Sequence, residues 1–360
     1  MKKTIATLLI LSLILTAGCS GQTPSGDAPS IMERSQAIAV PPESPVSKPE
    51  PDATSAPDSN SLPESSSAAS VSAAPTPAPT PKPTPKPTPT PTSESTGNPE
   101  LQLSSNTVKA GNFLVLTCKN PPPLEELAIK NSLSGSSHFF MNGDEAVALV
   151  GISRNAALGQ QQLTVTGLAT DAVLPYTVVD AGFESESFQM AESVQNSTVN
   201  SSAARDEYNR ITGNVMAVDT AEPNFPNLDG FVMPVNPPTF KISSSYGFTR
   251  IVNGKVSGRH EGVDFPAPKG TPVVAAGDGK VLYAGLMQMT GNTVIIEHGA
   301  GLKSWYHHMD SLSCKTGDVL QAGDPVGKVG TTGYSTGNHL HFGMSINDTY
   351  TNPWQFIPKP

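Results

Sequence analysis

The chain has 360 residues, room for about two domains at 100–200 residues each. Of its 35 prolines, 18 fall between Ser20 and Asn98, a stretch without Phe, Tyr or Trp that cannot bury enough apolar surface to offset its ordering entropy; roughly 260 residues are left to fold. The net charge of −9 divides into about +2 from Phe231 onward (ten Lys and Arg against eight Asp and Glu) and −11 before it, with no basic stripe to suit a nucleic acid. Three cysteines exclude a disulfide-rich scaffold, and no apolar run after the first 20 residues approaches the length of a membrane span.

Residues 1–18 read as a secretory signal: Lys2 and Lys3, an apolar run from Ile5 to Leu15, then Thr16-Ala17-Gly18. Leu15-Thr16-Ala17-Gly18-Cys19 resembles the lipobox of bacterial lipoproteins. That resemblance implies that Cys19 is acylated and becomes the mature N-terminus, with the protein extracytoplasmic, lipid-anchored to the cell membrane and facing the wall. At about 0.8 kcal/mol per buried CH₂, several acyl chains hold a protein stably at a membrane. Export also permits a disulfide between Cys118 and Cys314, although two free buried thiols fit equally well.

Residues 19–98 form the expected tether. Pro75 to Thr92 reads PTPAPTPKPTPKPTPTPT, which favours polyproline II and, at about 3.1 Å per residue, a rod of roughly 55 Å. Its expected job is that of a spacer.

Residues 99–190 carry short β-rich runs at Phe113 to Thr117, Ala146 to Ile152, Gln162 to Thr166 and Tyr176 to Val179, separated by Gly, Asn, Pro and Ser. They predict a small antiparallel sandwich that resembles the Ig-like modules placed before exported peptidases. The segment has no nucleophile–base pair and no metal spacing, and His138 is its only histidine. Residues 191–226 predict a helical connector between the two domains, with Ser202 as the cap of the helix that follows it.

Six of the seven histidines lie between His260 and His341. In His339-Leu340-His341 the two imidazoles stand at i and i+2, so on a strand they share one face and suggest a metal or proton-transfer site. His260-Glu261-Gly262-Val263-Asp264 begins like a helical His-Glu-x-x-His motif, but its fifth residue is Asp, and Gly262 and Pro266 oppose a helix. A straight strand would set His260 and Asp264 about 13 Å apart, so a bend at Gly262 is needed, and Glu261 is read as a flank, not a base.

Together with Ser245-Tyr246-Gly247-Phe248-Thr249-Arg250, RHEGVDFPAPKGTPVVAAGDGKV, GNTVIIEHGAGLKSWYHHM and GKVGTTGYSTGNHLHFG, these motifs resemble the lysostaphin/LytM-type M23 family of zinc metallopeptidases that cut peptidoglycan. The likeness runs from about Phe231 to Trp354, within an expected peptidase domain of 227–360. It implies one zinc per domain held by His260, Asp264 and His341, with a fourth position left for water. It gives His339 and His308 the handling of the water and the developing oxyanion. His308 is selected over His307 by the family's Tyr-x-His spacing, and strand alternation would turn His307 to the other face. His298 is read as structural.

The fold expectation is all-β: an Ig-like sandwich followed by a mostly antiparallel domain with a duplicated motif. Gly270 to Gly277 with Lys280-Val281 echoes Gly317 to Gly323 with Lys328-Val329, two strand–turn–strand units. The function implied is that of a monomeric peptidoglycan endopeptidase. The competing expectation is a non-catalytic LytM-like module that binds wall or activates another hydrolase.

Overall fold

The computed structural model describes residues 97–133, 135–218, 226–236 and 241–359. The signal segment, Cys19 and the proline tract lie outside them. The described chain is mostly β, with few helices.

Two four-stranded sheets come first. One runs Glu100–Leu103, Phe113–Lys119, Glu145–Gly151 and Phe140–Asn142 in spatial order; the other runs Thr107–Lys109, Ala172–Val179, Gly159–Thr166 and Ala128–Asn131. Period-2 alternation turns Leu114, Leu116 and Cys118 from the first sheet, and Leu163, Val165, Tyr176 and Val178 from the second, into one shared core. Each such large apolar side chain contributes about 1.5–3 kcal/mol by leaving water. The strand Ala172–Val179 starts well before the expected Tyr176 because Pro175 is tolerated. Its ladder to Gly159–Thr166 is two-sided only from Thr177, where Thr107 begins to pair, so Pro175 has a neighbour on one side alone.

The helix Ser202–Met216 follows, but its cap is one residue earlier than expected. Ser201 has extended backbone, and its hydroxyl accepts from the Ala204 amide. Val215 packs with Ile295 and Trp305, which seats the helix on the large sheet that comes next.

That sheet runs Gly262–Pro266, His339–Ile346, Leu302–Met309, Gly291–Gly299, Gly279–Met287 and Val319–Leu320, every pair antiparallel, with Thr349–Thr351 also pairing to His339–Ile346. One face carries Val263, Phe265, Tyr306, Leu340 and Phe342 into the main core. The smaller sheet, Pro272–Val274, Pro325–Lys328 and Ser311–Leu312, belongs to the same body. The two expected repeat units exchange strands: Pro272–Val274 of the first pairs with Pro325–Lys328 of the second, and Gly279–Met287 of the first pairs with Val319–Leu320 of the second.

The upstream sheets are joined to this body by a close seam. Phe113 stacks on Phe356 at 4.8 Å, and the Gly111 carbonyl accepts from the Asn352 amide and the Thr351 hydroxyl. A third sheet crosses the junction: Ser185–Phe188 lies parallel to Thr249–Val252, which pairs with Lys255–Arg259. Both Cys118 and Cys314 are free thiols, and burial raises each above its ordinary pKa, Cys314 to about 11.

The cap assignment is testable. Ser201→Ala should lower the stability of the helical region by about 1 kcal/mol in a denaturant titration, whereas Ser202→Ala should be close to neutral.

Candidate functional site

The site forms on the face of the large sheet opposite the main core. Asp264 sits directly across from His341, and His341 directly across from His307, so three neighbouring strands deliver three functional side chains in one row. His260 arrives from the loop before Gly262. The bend expected at Gly262 exists, and the site needs that glycine: a Cβ there would lie 2.5 Å from the Phe342 carbonyl oxygen and 2.7 Å from His341 Nε2.

His260, Asp264 and His341 converge, with one donor atom from each within 4.8 Å of the others. His260 Nε2 is 2.9 Å from both Asp264 Oδ1 and His341 Nδ1, and His341 Nδ1 is 2.8 Å from Asp264 Oδ1. On its other side, the His260 Nδ1–H donates to the Ser245 carbonyl at 2.9 Å and faces Ser244 Oγ at 2.7 Å. That tautomer leaves a lone pair on Nε2, aimed at a carboxylate. Burial favours the neutral form of His260 and of His341, whose pKa falls to about 4. Burial opposes the Asp264 anion, yet the surrounding His260, His341 and His339 outweigh it and hold the carboxyl well below its ordinary range. Neutral imidazoles and an ionised carboxylate converging lone pair to lone pair form the nitrogen–oxygen donor set that zinc takes.

His339 and His308 stand beside this trio, their rings 4.9 Å apart. The His339 Nδ1–H donates to the Gly337 carbonyl and the His308 Nδ1–H to the Thr332 carbonyl, both at 2.8 Å, so each ring keeps Nε2 as its acceptor. His339 Nε2 is 3.7 Å from Asp264 Oδ1. Burial, reinforced by the neighbouring His339 and His341, pushes His308 well below its usual pKa.

His307 departs from expectation. It does not turn to the other face: its ring stacks on that of His341 at 5.2 Å, and its Nδ1 is 3.0 Å from Thr293 Oγ1. His308 reaches the same site because its backbone is left-handed, φ 63°, where the pairing to Gly291–Gly299 shifts register. A bulge therefore places two consecutive histidines at one site, against strict alternation. Glu261 makes no hydrogen bond to the trio. Burial raises its carboxyl to about 7, and its charge is felt by Tyr208, Tyr246 and Tyr350.

Three residues behind the His260–Asp264–His341 trio have no role assigned from sequence. Arg250 Nη2 donates to Asp264 Oδ2 at 2.7 Å, Ser244 touches His260, and Glu186 holds both Arg250 and Ser244. Arg250 lies in the Ser245–Arg250 block already noted; Glu186 lies in a polar run that marks no chemistry.

His298 has both ring nitrogens engaged by residues outside this cluster. Its Nδ1–H donates to the Asp278 carbonyl at 2.7 Å, its Nε2 meets the Ser304 hydroxyl at 2.8 Å, and its ring packs on Phe231.

Residues 258–353 match Peptidase family M23. The chain is 39% identical over 121 residues to the DD-carboxypeptidase/endopeptidase Mpg of Neisseria meningitidis, covering 33% of this chain and 28% of that protein. It is 37% identical over 115 residues to the peptidoglycan DD-endopeptidase ShyC of Vibrio cholerae, covering 31% and 26%. The match thus spans less than a third of either relative. A crystal structure of a peptidase M23 protein from Pseudomonas aeruginosa superimposes with a TM-score of 0.50 at 24% identity, over 69% of this chain and 93% of that one, and shares the fold. The chain thus carries a peptidase family M23 domain over residues 258–353.

The His298 environment predicts an acid-sensitive fold. Burial depresses its pKa from 6.5 to about 4, so between those values the unfolded chain binds more protons than the folded one. Its contribution, up to about 3 kcal/mol, is present above pH 6.5 and is lost as pH falls toward 4. His298→Gln should show a flatter slope of unfolding free energy against pH across that window than the parent protein.

Proposed function

We propose that the protein is a zinc-dependent endopeptidase that hydrolyses peptide cross-links or stem peptides of bacterial peptidoglycan. The observation that carries this reading is the convergence of His260, Asp264 and His341 beside the His308–His339 pair, inside the segment that matches the M23 family. The wall substrate is supported by the likeness to ShyC, a peptidoglycan DD-endopeptidase. Zinc would be held by His260 Nε2, Asp264 Oδ1 and His341 Nδ1, where it supplies the Lewis-acid charge that activates water and polarises a scissile carbonyl.

The remaining chemistry falls to the chain. His308 and His339 each have Nδ1 locked on a backbone carbonyl, so each offers Nε2 as a base toward the attacking water. Once protonated, the same ring stabilises the oxyanion or returns the proton to the leaving amine. The locked tautomers matter because a ring free to flip would offer a donor where an acceptor is required.

We read the upstream two-sheet unit as an Ig-like module. Lettered A to G in chain order (Glu100–Leu103, Phe113–Lys119, Ala128–Asn131, Phe140–Asn142, Glu145–Gly151, Gly159–Thr166 and Ala172–Val179), its strands divide as A, B, E and D against C, F and G, the partition of that sandwich, with Thr107–Lys109 added parallel to G. We also place the protein at the outer face of the membrane, tethered through acylated Cys19 by the proline-rich segment; the support is the lipobox resemblance.

His341→Ala should lose zinc and hydrolysis together. His339→Ala and His308→Ala should retain zinc and lose about 10²–10⁴-fold in rate, the usual worth of a proton-transfer group. Zinc stoichiometry measured beside cleavage of purified peptidoglycan, with mass analysis of fragments, separates these outcomes. Wall binding without cleavage by the zinc-loaded parent would favour the non-catalytic module instead.

Cys19→Ser should abolish covalent lipid and shift the protein out of the membrane fraction. Unchanged metabolic lipid labelling would overturn the anchor.

A further inference from the structure

We infer that Glu186 is a positioning residue for the metal ligands, so that a strand outside the M23-matched segment completes the site. Resting on the zinc reading above, this extends it to a residue that no family motif covers. Ser185–Phe188 ends seventy residues before the matched segment begins at 258. Ser185–Phe188 nevertheless docks parallel to Thr249–Val252, with Glu186 directly opposite Arg250.

One carboxylate oxygen of Glu186 serves two relays. Its Oε1 accepts from Arg250 Nε at 3.0 Å, and Arg250 Nη2 passes on to Asp264 Oδ2 at 2.7 Å. The same Oε1 accepts from the Ser244 hydroxyl at 2.6 Å, and Ser244 Oγ lies 2.7 Å from His260 Nδ1. Two of the three convergent ligands are therefore held from behind by one side chain, through two separate intermediaries.

Each relay has a distinct consequence. In the first, the guanidinium is shared between two carboxylates, which limits how strongly it draws charge from Asp264 and keeps Oδ1 available as a donor. In the second, Ser244 has one hydroxyl proton, and Glu186 takes it. Ser244 can then only accept from His260, which supports the Nδ1–H tautomer and leaves the Nε2 lone pair facing the site. Without Glu186, the Ser244 proton is free to turn toward His260 Nδ1, and the Ser245 carbonyl is left alone to hold the Nδ1–H tautomer. Arg250 would also lose half of its clamp; its remaining contact on that side is the Phe188 ring, 5.6 Å from the guanidinium.

Contacts of this kind, behind the ligands, typically account for 10–100-fold in metal affinity or activity. The test uses the full chain carrying Glu186→Ala, Glu186→Gln or Glu184→Ala, the last removing an exposed carboxylate two residues earlier. Zinc affinity is measured by competition with a chromogenic chelator, beside kcat, KM and the unfolding midpoint. Glu186→Ala should weaken zinc binding by about 10–100-fold, with kcat restored at saturating zinc and KM little changed. Glu186→Gln keeps an oxygen for Ser244 but loses the charge against Arg250, so it should fall between Glu186→Ala and the parent. Glu184→Ala should match the parent.

Parent-like zinc affinity in Glu186→Ala would overturn the inference. So would an equal loss in Glu184→Ala, which would assign the effect to net charge, or a drop in Glu186→Gln affinity that merely tracks its unfolding midpoint. A parent protein that binds no zinc would instead overturn the metal reading on which the inference stands.

Discussion

The antiparallel register between Gly262–Pro266 and His339–Ile346 is the constraint on which the rest depends. It sets Asp264 opposite His341, and the next pairing sets His341 opposite His307. Because side chains alternate, a slip of one residue would send His341 into the apolar core and bring Leu340 to the site. The register is held from the other face, where Val263, Phe265, Leu340 and Phe342 are fully buried. The same alternation that buries these four side chains presents the polar row, so core stability and site geometry are one property.

Much of this could be read from residue order. His339 and His341 sharing a face follows from strand periodicity, and the bend at Gly262 follows from the distance that two ligands of one metal must close. The strand exchange between the repeat units was not legible: matched Gly and Val spacings show that two units are alike, not which strand pairs with which. The placement of His307 was misread for a sharper reason. Alternation assumes an unbroken ladder, and the left-handed residue at His308 breaks it. Left-handed backbone at a non-glycine position has no clear signature in a single sequence, and tertiary contact decides it. Glu186 was illegible because its importance comes wholly from a parallel pairing to a strand more than sixty residues away.

The seam between the upstream sheets and the large sheet has the character of an interior. A stacked Phe113–Phe356 pair and two donors on the Gly111 carbonyl are specific contacts, and Leu149 of the upstream unit is buried within the main core itself. The Ser185–Phe188 strand adds backbone pairing at the same junction. The upstream unit is therefore poorly described as a freely pivoting appendage, and changes at its C-terminal edge reach the site through hydrogen bonds.

The spatial order of the large sheet has a consequence for how the protein comes into being. His339–Ile346 follows Gly262–Pro266 and Leu302–Met309 in the chain but is inserted between them. During synthesis, His260, Asp264 and His308 all emerge before the strand that joins their neighbourhoods and carries His339 and His341. About thirty residues separate Met309 from His339, so five of the seven histidines precede the strand that completes the row. Strand order alone leaves the polar row incomplete until His339–Ile346 is seated between its two neighbours.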